Sequence, residues 1–248
     1  MGDRPVTVIT GASRGLGASV ARLAATQGHD LVLVARDEEL LGRVADECRA
    51  LGATTEVAVA DLLDAQTPAR VLDQTLTRFG RIDGLVNNAG IYRTGSARRP
   101  DLDQWDEVLA VNLTAPYRMA TTFGAAMTQA GSGSIVNVSS IFAVVGVPAT
   151  AAYAASKGGL ISLSRTLAIE WARYNVRVNA LAVGHMLTDI TASELESELG
   201  KQFVEKNIPL ARVADPDEVA PLVCLLLGAD GAFITGSVQV IDGGFSAR

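Results

Sequence analysis

The stretch that decides the fold is Pro5-Val-Thr-Val-Ile-Thr-Gly-Ala-Ser-Arg-Gly-Leu-Gly17, in which an apolar run leads into three glycines. Residues 5–10 are predicted to form a buried strand, and residues 16–27 have helical character. Glycines between a strand and a helix permit a tight turn and let the backbone approach a pyrophosphate, which the helix N-terminus attracts. Glycine-rich turns are common, and this Gly-x3-Gly-x-Gly spacing departs from the commoner Gly-x-Gly-x2-Gly. The stretch therefore indicates a dinucleotide site only if it belongs to an α/β sheet.

Apolar runs alternate with helix-length segments along the whole chain. Strands are predicted at 30–35, 54–60, from 84, 134–138, 176–181 and 237–241, and helices at 38–51, 68–79, 103–129, 152–173, near 193–206 and at 216–227. Apolar strands without polar alternation are buried on both faces, and strand–helix alternation gives right-handed crossovers. The pattern predicts a single α/β domain over residues 1–248. We expect a Rossmann-type, doubly wound parallel sheet of about seven strands, with helices on both faces.

Two stretches, residues 139–150 and 183–210, do not fit this alternation. Long excursions in a compact domain are usually functional or disordered. In the second, Leu195, Leu199 and Phe203 recur every four residues, which indicates an amphipathic helix. We expect residues 184–210 to form a substrate lid, with a helix simply packed on the body as the equal alternative.

Composition limits the classes of function. The 248 residues include 21 Lys and Arg against 27 Asp and Glu, a net charge of −6, which argues against a nucleic-acid binder. The longest apolar run, at 219–227, is half a membrane span, and residues 1–10 lack the pattern of a secretion signal. Cys48 and Cys224 are too far apart to indicate a metal cluster. We expect a cytoplasmic protein without metal, membrane or nucleic acid.

The end of the second predicted strand distinguishes two cofactors. An acidic residue about 20 positions beyond the glycines would hold the ribose hydroxyls of NAD, whereas an arginine would accept the 2′-phosphate of NADP. Arg36 lies 19 residues beyond Gly17, and Arg14 lies within the glycine turn. Two guanidiniums suit a phosphate, so the residues favour NADP(H). NAD(H) remains the alternative, because Asp37 is adjacent and Arg36 could simply begin a solvated helix.

Tyr153 and Lys157 carry the strongest chemical indication. Residues four apart on a helix share a face, and a nearby ammonium favours the phenolate, so we expect the tyrosine pKa to fall from about 10. Such a pair is frequent by chance. Here it follows a Ser139-Ser140 pair at the end of a predicted strand, within a nucleotide-binding pattern.

Together these residues resemble the short-chain dehydrogenase/reductase family over essentially the whole chain, and they are similar to its 3-oxoacyl-carrier-protein reductases. The motifs that carry the resemblance are Gly11-Ala-Ser-Arg-Gly-Leu-Gly17, Asp61, Asn87-Asn-Ala-Gly90, Asn112, Ser140, Tyr153 with Lys157, Ile234-Thr-Gly236 and Asp242-Gly-Gly244.

The resemblance implies four catalytic residues. Tyr153 exchanges a proton with the substrate oxygen, and Lys157 lowers the phenol pKa and hydrogen-bonds the nicotinamide ribose. Ser140, rather than Ser139, polarises the carbonyl, and Asn112 holds a water that links the lysine to solvent. Without the resemblance, Asn112 would be interpreted as a helix residue bonded to neighbouring backbone.

The resemblance also implies cofactor contacts at the glycine turn and at the loops after later strands. These residues are Gly11, Ser13, Arg14, Gly15, Leu16, Gly17, Arg36, Asp61, Leu62, Asn88, Ala89, Gly90, Tyr153, Lys157, Gly184 and Thr188. Asp61 and Leu62 resemble the pair that brackets the adenine, whereas Gly184 and Thr188 resemble contacts to the nicotinamide and diphosphate. Val183-Gly184 replaces the usual Pro-Gly pair, so we expect a freer loop there.

The leading expectation is an NADP(H)-dependent oxidoreductase that interconverts a ketone and a secondary alcohol. The small-molecule substrate would lie over Ser140 and Tyr153, against the apolar residues Ile141, Phe142, Val144 and Val145, with Arg93 nearby for a charged tail.

Two other functions stay open. A 3-oxoacyl-carrier-protein reductase ranks level, although residues 127–134 carry no basic side chain for an acidic carrier. A non-catalytic nucleotide-binding scaffold is the third possibility. The resemblance further implies a homo-oligomer, a dimer or a tetramer. Small residues around Gly158 and Gly159 agree with close helix packing.

Overall fold

A computed structural model describes residues 4–187 and 197–247. Within them lies one seven-stranded sheet, and every pair of neighbouring strands is parallel. The strands are β1 (Val6–Thr10), β2 (Asp30–Ala35), β3 (Thr55–Val59), β4 (Gly84–Asn87), β5 (Gly133–Ser140), β6 (Val176–Val183) and β7 (Val238–Ile241), in the spatial order β3-β2-β1-β4-β5-β6-β7. The predicted fold class is confirmed.

Helices cover both faces of the sheet. They are α1 (Gly15–Thr26), α2 (Glu38–Ala50), α3 (Thr67–Phe79), α4 (Leu102–Leu109), α5 (Ala115–Ala130), α6 (Ala151–Trp171), α7 (Glu198–Asn207) and α8 (Pro216–Leu227). One apolar core joins the sheet to α1, α2 and α8, and a second joins it to α3, α5 and α6. No helix of the described residues has the length and apolar character needed to cross a bilayer.

The strand order reverses between β1 and β4. Thr7 of β1 is the register partner of Gly84 of β4, and on its other side β1 pairs with β2. The loops after β1 and β4 therefore diverge at the carboxyl edge of the sheet. In an open α/β sheet this divergence creates the crevice where ligands bind.

The helix predicted at 103–129 is present, but it is not a regular α-helix throughout. A π-helical turn, Ala110–Thr114, separates α4 from α5. Two features account for the break. Asn112 turns inward to bond with the backbone of Ile91, and Pro116 lacks the N–H that a continuing α-helix would use. Such π-turns are frequent at functional sites.

The apolar face predicted for the helix near residues 193–206 is wrong at Leu199. Leu199 is 80% exposed, whereas Val204 and Ile208 are buried and pack with Val213 and Phe245. The helix begins at Glu198, where Ser197 accepts a hydrogen bond from the Gly200 N–H. Leu195, Thr188 and the predicted start near residue 193 lie outside the described residues.

Candidate active site

The glycine turn after β1 is shaped to bring backbone close to a ligand. Gly11 and Gly15 have φ angles of +66° and +53°, a region that favours glycine. A Cβ on Gly17 would collide with the carbonyl oxygen of Gly11. The turn is held from β4, because Asn88 Nδ2 donates to the carbonyl oxygens of Thr10 and Gly11 at 3.0 and 3.1 Å.

The N-terminus of α1 is open to an anion. Arg14 occupies the N-cap position in an extended conformation, and no side chain of the described residues caps the helix. The first turn carries no acidic residue, so the N–H groups of the helix start and the helix dipole favour a negative ligand. Ser13 and Leu16 flank this position. The turn therefore fits the diphosphate of a dinucleotide.

The ends of β2 and β3 lie beside that turn. Arg36 is exposed after β2, while the neighbouring Asp37 caps α2 by accepting from the Leu40 N–H at 3.1 Å. Asp37 is thus engaged with its own helix. After β3, Asp61 accepts from the Leu63 N–H at 2.9 Å, and Leu62 is half-buried against the core.

Ser140 and Tyr153 meet at the carboxyl end of β5. The Ser140 hydroxyl lies close enough to the Tyr153 phenol to lower its pKa through hydrogen bonding, and Ser140 Oγ accepts from the Phe142 N–H at 3.2 Å. Ser139 has a different task, because its hydroxyl donates to the Lys157 carbonyl oxygen at 2.8 Å. The structure therefore brings together the serine and the tyrosine that the sequence singled out.

The predicted fall in the pKa of Tyr153 is wrong for this arrangement. Burial raises the pKa of Tyr153 above its usual value of 10, the hydrogen bond with Ser140 lowers it in part, and the nearby Tyr92 raises it again. The phenol is consequently held in its neutral, proton-donating form at neutral pH.

Lys157 lies behind the tyrosine and is only 4% exposed. Its Nζ donates to the Val138 carbonyl oxygen at 2.8 Å and is 5.9 Å from the centroid of the Tyr153 ring. Burial lowers the pKa of Lys157 to about 8. A Cβ on Gly90 would approach Nζ to 3.4 Å, so the glycine after β4 leaves room for the lysine head.

Asn112 is fully buried in the π-turn between α4 and α5. Its Oδ1 accepts from the Ile91 N–H and its Nδ2 donates to the Ile91 carbonyl oxygen, both at 2.8 Å. The side chain thus fastens the loop after β4 to the helix layer. Its role in holding a water stays a prediction.

Gly184 begins the segment after β6. Its N–H donates to the Ile241 carbonyl oxygen at 2.9 Å, and a Cβ there would lie 2.6 Å from the Cα of Asp242. The carboxylate of Asp242 in turn accepts from Gly244 and Ser246. The C-terminal turn therefore anchors the start of the segment after β6, whereas Thr188 lies outside the described residues.

Several contributors were missed or misjudged from sequence. Thr10 Oγ1 accepts from the backbone N–H groups of Asn88 and Ala89, a contact that no motif marks. His185, which no motif marks either, packs against the rings of Phe142, Phe203 and Phe245. Ile141, expected to line the substrate pocket, is buried in the body.

The described residues contain no group of three or more His, Cys, Asp or Glu side chains that could hold a metal ion. The chemistry that they offer is an open anion site joined to a buried Ser–Tyr–Lys cluster. A family model described as enoyl-(acyl carrier protein) reductase matches residues 11–246.

The chain belongs to the short-chain dehydrogenase/reductase family.

Known proteins of this family align with nearly all of the chain. It is 35% identical to D-threitol dehydrogenase of Mycolicibacterium smegmatis, over 99% of this chain and 94% of that protein. It is 36% identical to the 3-oxoacyl-[acyl-carrier-protein] reductase of Thermotoga maritima, over 96% of each. A single-residue variant of actinorhodin polyketide ketoreductase, solved with NADPH, superimposes with a TM-score of 0.94 at 30% identity, covering 99% of this chain and 98% of that one. This short-chain dehydrogenase/reductase is accordingly an oxidoreductase.

Proposed function

We propose that the protein is an NADP(H)-dependent oxidoreductase that interconverts a ketone and a secondary alcohol. The observation that carries this is the placement of Ser140 next to the Tyr153 phenol, with Lys157 Nζ beside the same ring, at the carboxyl edge of the sheet. The same edge carries the glycine turn and the open N-terminus of α1. A proton donor and a dinucleotide site thus share one crevice.

The chain's own residues would position the carbonyl and supply its proton. When bound, NADPH supplies the hydride that reduces the carbonyl carbon and becomes NADP⁺. Ser140 donates a hydrogen bond to the carbonyl oxygen, and Tyr153 gives that oxygen the proton that completes the alcohol. Lys157 then supplies a proton that restores the phenol of Tyr153. Residues 11–17, 61–62, 88–90 and 184 would hold the dinucleotide, with Lys157 on its ribose.

The direct test is NADPH oxidation, followed at 340 nm, with a panel of ketones and with the purified full chain. Turnover should require a carbonyl compound and give one alcohol per NADPH consumed. If no ketone in a broad panel supports NADPH oxidation while NADPH still binds, the scaffold interpretation replaces this proposal.

The preference for NADP(H) is the part of the proposal that rests on Arg36. This side chain is exposed at the end of β2, Arg14 lies in the adjacent turn, and Asp37 is engaged in capping α2. An arginine without an available neighbouring carboxylate suits a 2′-phosphate better than two ribose hydroxyls.

Arg36→Asp is therefore expected to weaken NADPH binding by about 10- to 100-fold, since charge-assisted hydrogen bonds contribute about 1.5–3 kcal/mol. NADH binding should be retained or improved. Fluorescence titration with both nucleotides measures the change. Arg43→Asp is the matched control, because Arg43 lies on the exposed side of α2 and pairs with Glu39. Equal losses for NADPH and NADH in Arg36→Asp would refute the assignment.

A carrier-bound 3-oxoacyl substrate is the second candidate, and the relative from Thermotoga maritima favours it. Acetoacetyl thioesters belong in the same panel for this reason. A strong preference for a carrier-bound thioester over free ketones would select this candidate.

A homo-oligomer, a dimer or a tetramer, is proposed from the outer faces of α5 and α6. Ile169 on α6 is 81% exposed, and it borders a groove of about 730 Å³ lined also by Thr121, Ala125 and Trp171. Thr128, Glu170, Arg173 and Tyr174 complete the lining, and such a surface of mixed apolar and polar side chains suits a second copy of the chain. Sedimentation should give at least the dimer mass, and a monomer at micromolar concentration would contradict this.

The segment 184–210 is proposed as the substrate lid. Its described helix α7 reaches the site through Phe203, whose ring lies 5.3 Å from that of His185 and 6.2 Å from that of Phe245.

A further inference from the structure

The aromatic side chains of this protein are concentrated at the site. Only 5% of the residues are Phe, Trp or Tyr. All ring–ring contacts found within residues 4–187 and 197–247 nevertheless belong to one connected array. We call this the ring array, and its members are Tyr92, Phe142, Tyr153, His185, Phe203 and Phe245.

The ring array runs from the catalytic phenol to the lid. The ring of Tyr92 stands edge-on to that of Tyr153, with centroids 5.0 Å apart, and Phe142 lies 6.2 Å from Tyr153 on another side. Phe142 continues to His185 at 5.6 Å, and His185 continues to Phe245 at 5.2 Å. Separate segments of the chain therefore direct rings to one place.

Core packing does not account for the placement of the rings around Tyr153, although Phe245 also packs against the small apolar cluster of Val204 and Ile208. The large side chain that fills the sheet–helix core is Phe123, which is fully buried, whereas the rings of Tyr92, Phe142, His185 and Phe245 are half-buried. Phe203 is exposed by 38%. These rings thus keep accessible surface, and two of them, Tyr92 and Phe142, adjoin Tyr153, where a substrate must lie to receive its proton.

The charge near the array favours an uncharged substrate. Arg93 lies next to Tyr92, but its guanidinium is 3.5 Å from the Glu107 carboxylate and also donates to the Tyr92 carbonyl oxygen. The faces of aromatic rings carry partial negative charge, which disfavours carboxylates and phosphates. Apolar ring faces and an engaged arginine together fit a neutral, flat or ring-shaped group.

Resting on the proposed function, we infer that the ring array selects an uncharged ketone whose carbonyl carbon belongs to, or adjoins, a six-membered ring. Straight-chain ketones and acyl thioesters are the poorer substrates. The array would stack against the ring while Ser140 and Tyr153 engage the oxygen, and Phe142 and Phe203 are the specificity-determining residues.

The experiment compares two ketones of equal carbon number, cyclohexyl methyl ketone and 2-octanone, together with acetoacetyl-N-acetylcysteamine. The wild-type enzyme should give a kcat/KM about tenfold higher for the ring ketone, because the rigid ring fits against the flat faces of the array and loses less conformational freedom on binding than the flexible chain of 2-octanone. Phe142→Leu and Phe203→Leu should each reduce the ring-to-chain ratio about fivefold, and Phe142→Tyr should keep it. Phe233→Leu is the matched control, because Phe233 is fully exposed and lies outside the array.

The inference is overturned if 2-octanone or the thioester equals the ring ketone in the wild-type enzyme. It is also overturned if both leucine variants, folded by circular dichroism, keep the wild-type ratio. Failure of the proposed function gives a different result, namely no Tyr153-dependent NADPH oxidation with any of the three compounds. A separate binding readout is calorimetric titration of the NADP⁺-loaded enzyme with the ring ketone, which should be weakened by Phe142→Leu.

Discussion

Replacing Tyr153 by Phe is expected to lower kcat/KM for ketone reduction by about 10²- to 10⁴-fold, the range found when a positioned general acid is removed. The ring remains, so its edge-on contact with Tyr92 at 5.0 Å is preserved and the fold should be unaffected. What is lost is the hydroxyl that lies beside Ser140 and that we propose as the proton donor to the substrate oxygen. NADPH affinity should change far less than the rate. Steady-state kinetics and a nucleotide titration on the same preparation measure both.

Tyr117→Phe is the control for that variant. Tyr117 is also a tyrosine of the helix layer, but it is 48% exposed on α5 and outside the site. Its replacement should leave kcat/KM within about twofold, as expected for a surface change. Undiminished activity in Tyr153→Phe would remove the phenol from the mechanism.

Lys157→Met is expected to stabilise the protein while abolishing most of its activity. A lysine whose pKa falls from about 10.5 to about 8 on folding carries a cost of about 3 kcal/mol at neutral pH. Methionine has a similar length and no charge to desolvate. It does leave the Val138 carbonyl oxygen without its 2.8 Å partner, which costs about 1 kcal/mol. The free energy of unfolding in urea should therefore rise by about 2 kcal/mol.

The stability gained by Lys157→Met is expected to depend on pH. Below pH 8 the lysine is charged in both the folded and unfolded states, so the folding cost is complete. Between about pH 8 and 10.5 the folded lysine is neutral while the unfolded one is still charged, so wild-type stability gains and the advantage of Lys157→Met shrinks. Lys201→Met, at an exposed position paired with Glu198, should change stability by less than about 0.5 kcal/mol. A destabilised Lys157→Met at pH 7 would contradict the proposed cost of burial.

The fold could be predicted from sequence because its evidence is local and repeated. An apolar run of five or six residues that is buried on both faces is by itself enough to indicate a parallel strand. The glycine turn in addition marks where the first strand ends and the first helix begins. The places where prediction failed depend on long-range contacts. The helix predicted at 103–129 breaks because Asn112 bonds to Ile91, 21 residues away, and no periodicity along the helix records that partner.

For the candidate site too, the predictions from local spacing were right and those that depend on long-range contacts were wrong. Spacing alone put Tyr153 and Lys157 on one helix face, and the structure has them there. The pKa of the tyrosine was misjudged because burial depends on which segments cover it, and Tyr92 and Phe142 come from loops after two other strands. Likewise, His185 has ring neighbours from three different segments, a setting that a lone histidine in a sequence does not reveal.

The pairing of β1 with β4 has a consequence for the newly synthesised chain. Thr7 cannot meet its partner Gly84 until the whole stretch between them has left the ribosome, and closing so long a loop is slow compared with forming local helices. The glycine turn is therefore synthesised first but becomes a competent nucleotide cradle only after Asn88 has arrived to clamp it. A nucleotide would then bind only to chains in which β1 has already paired with β4, and it would stabilise that late folding stage.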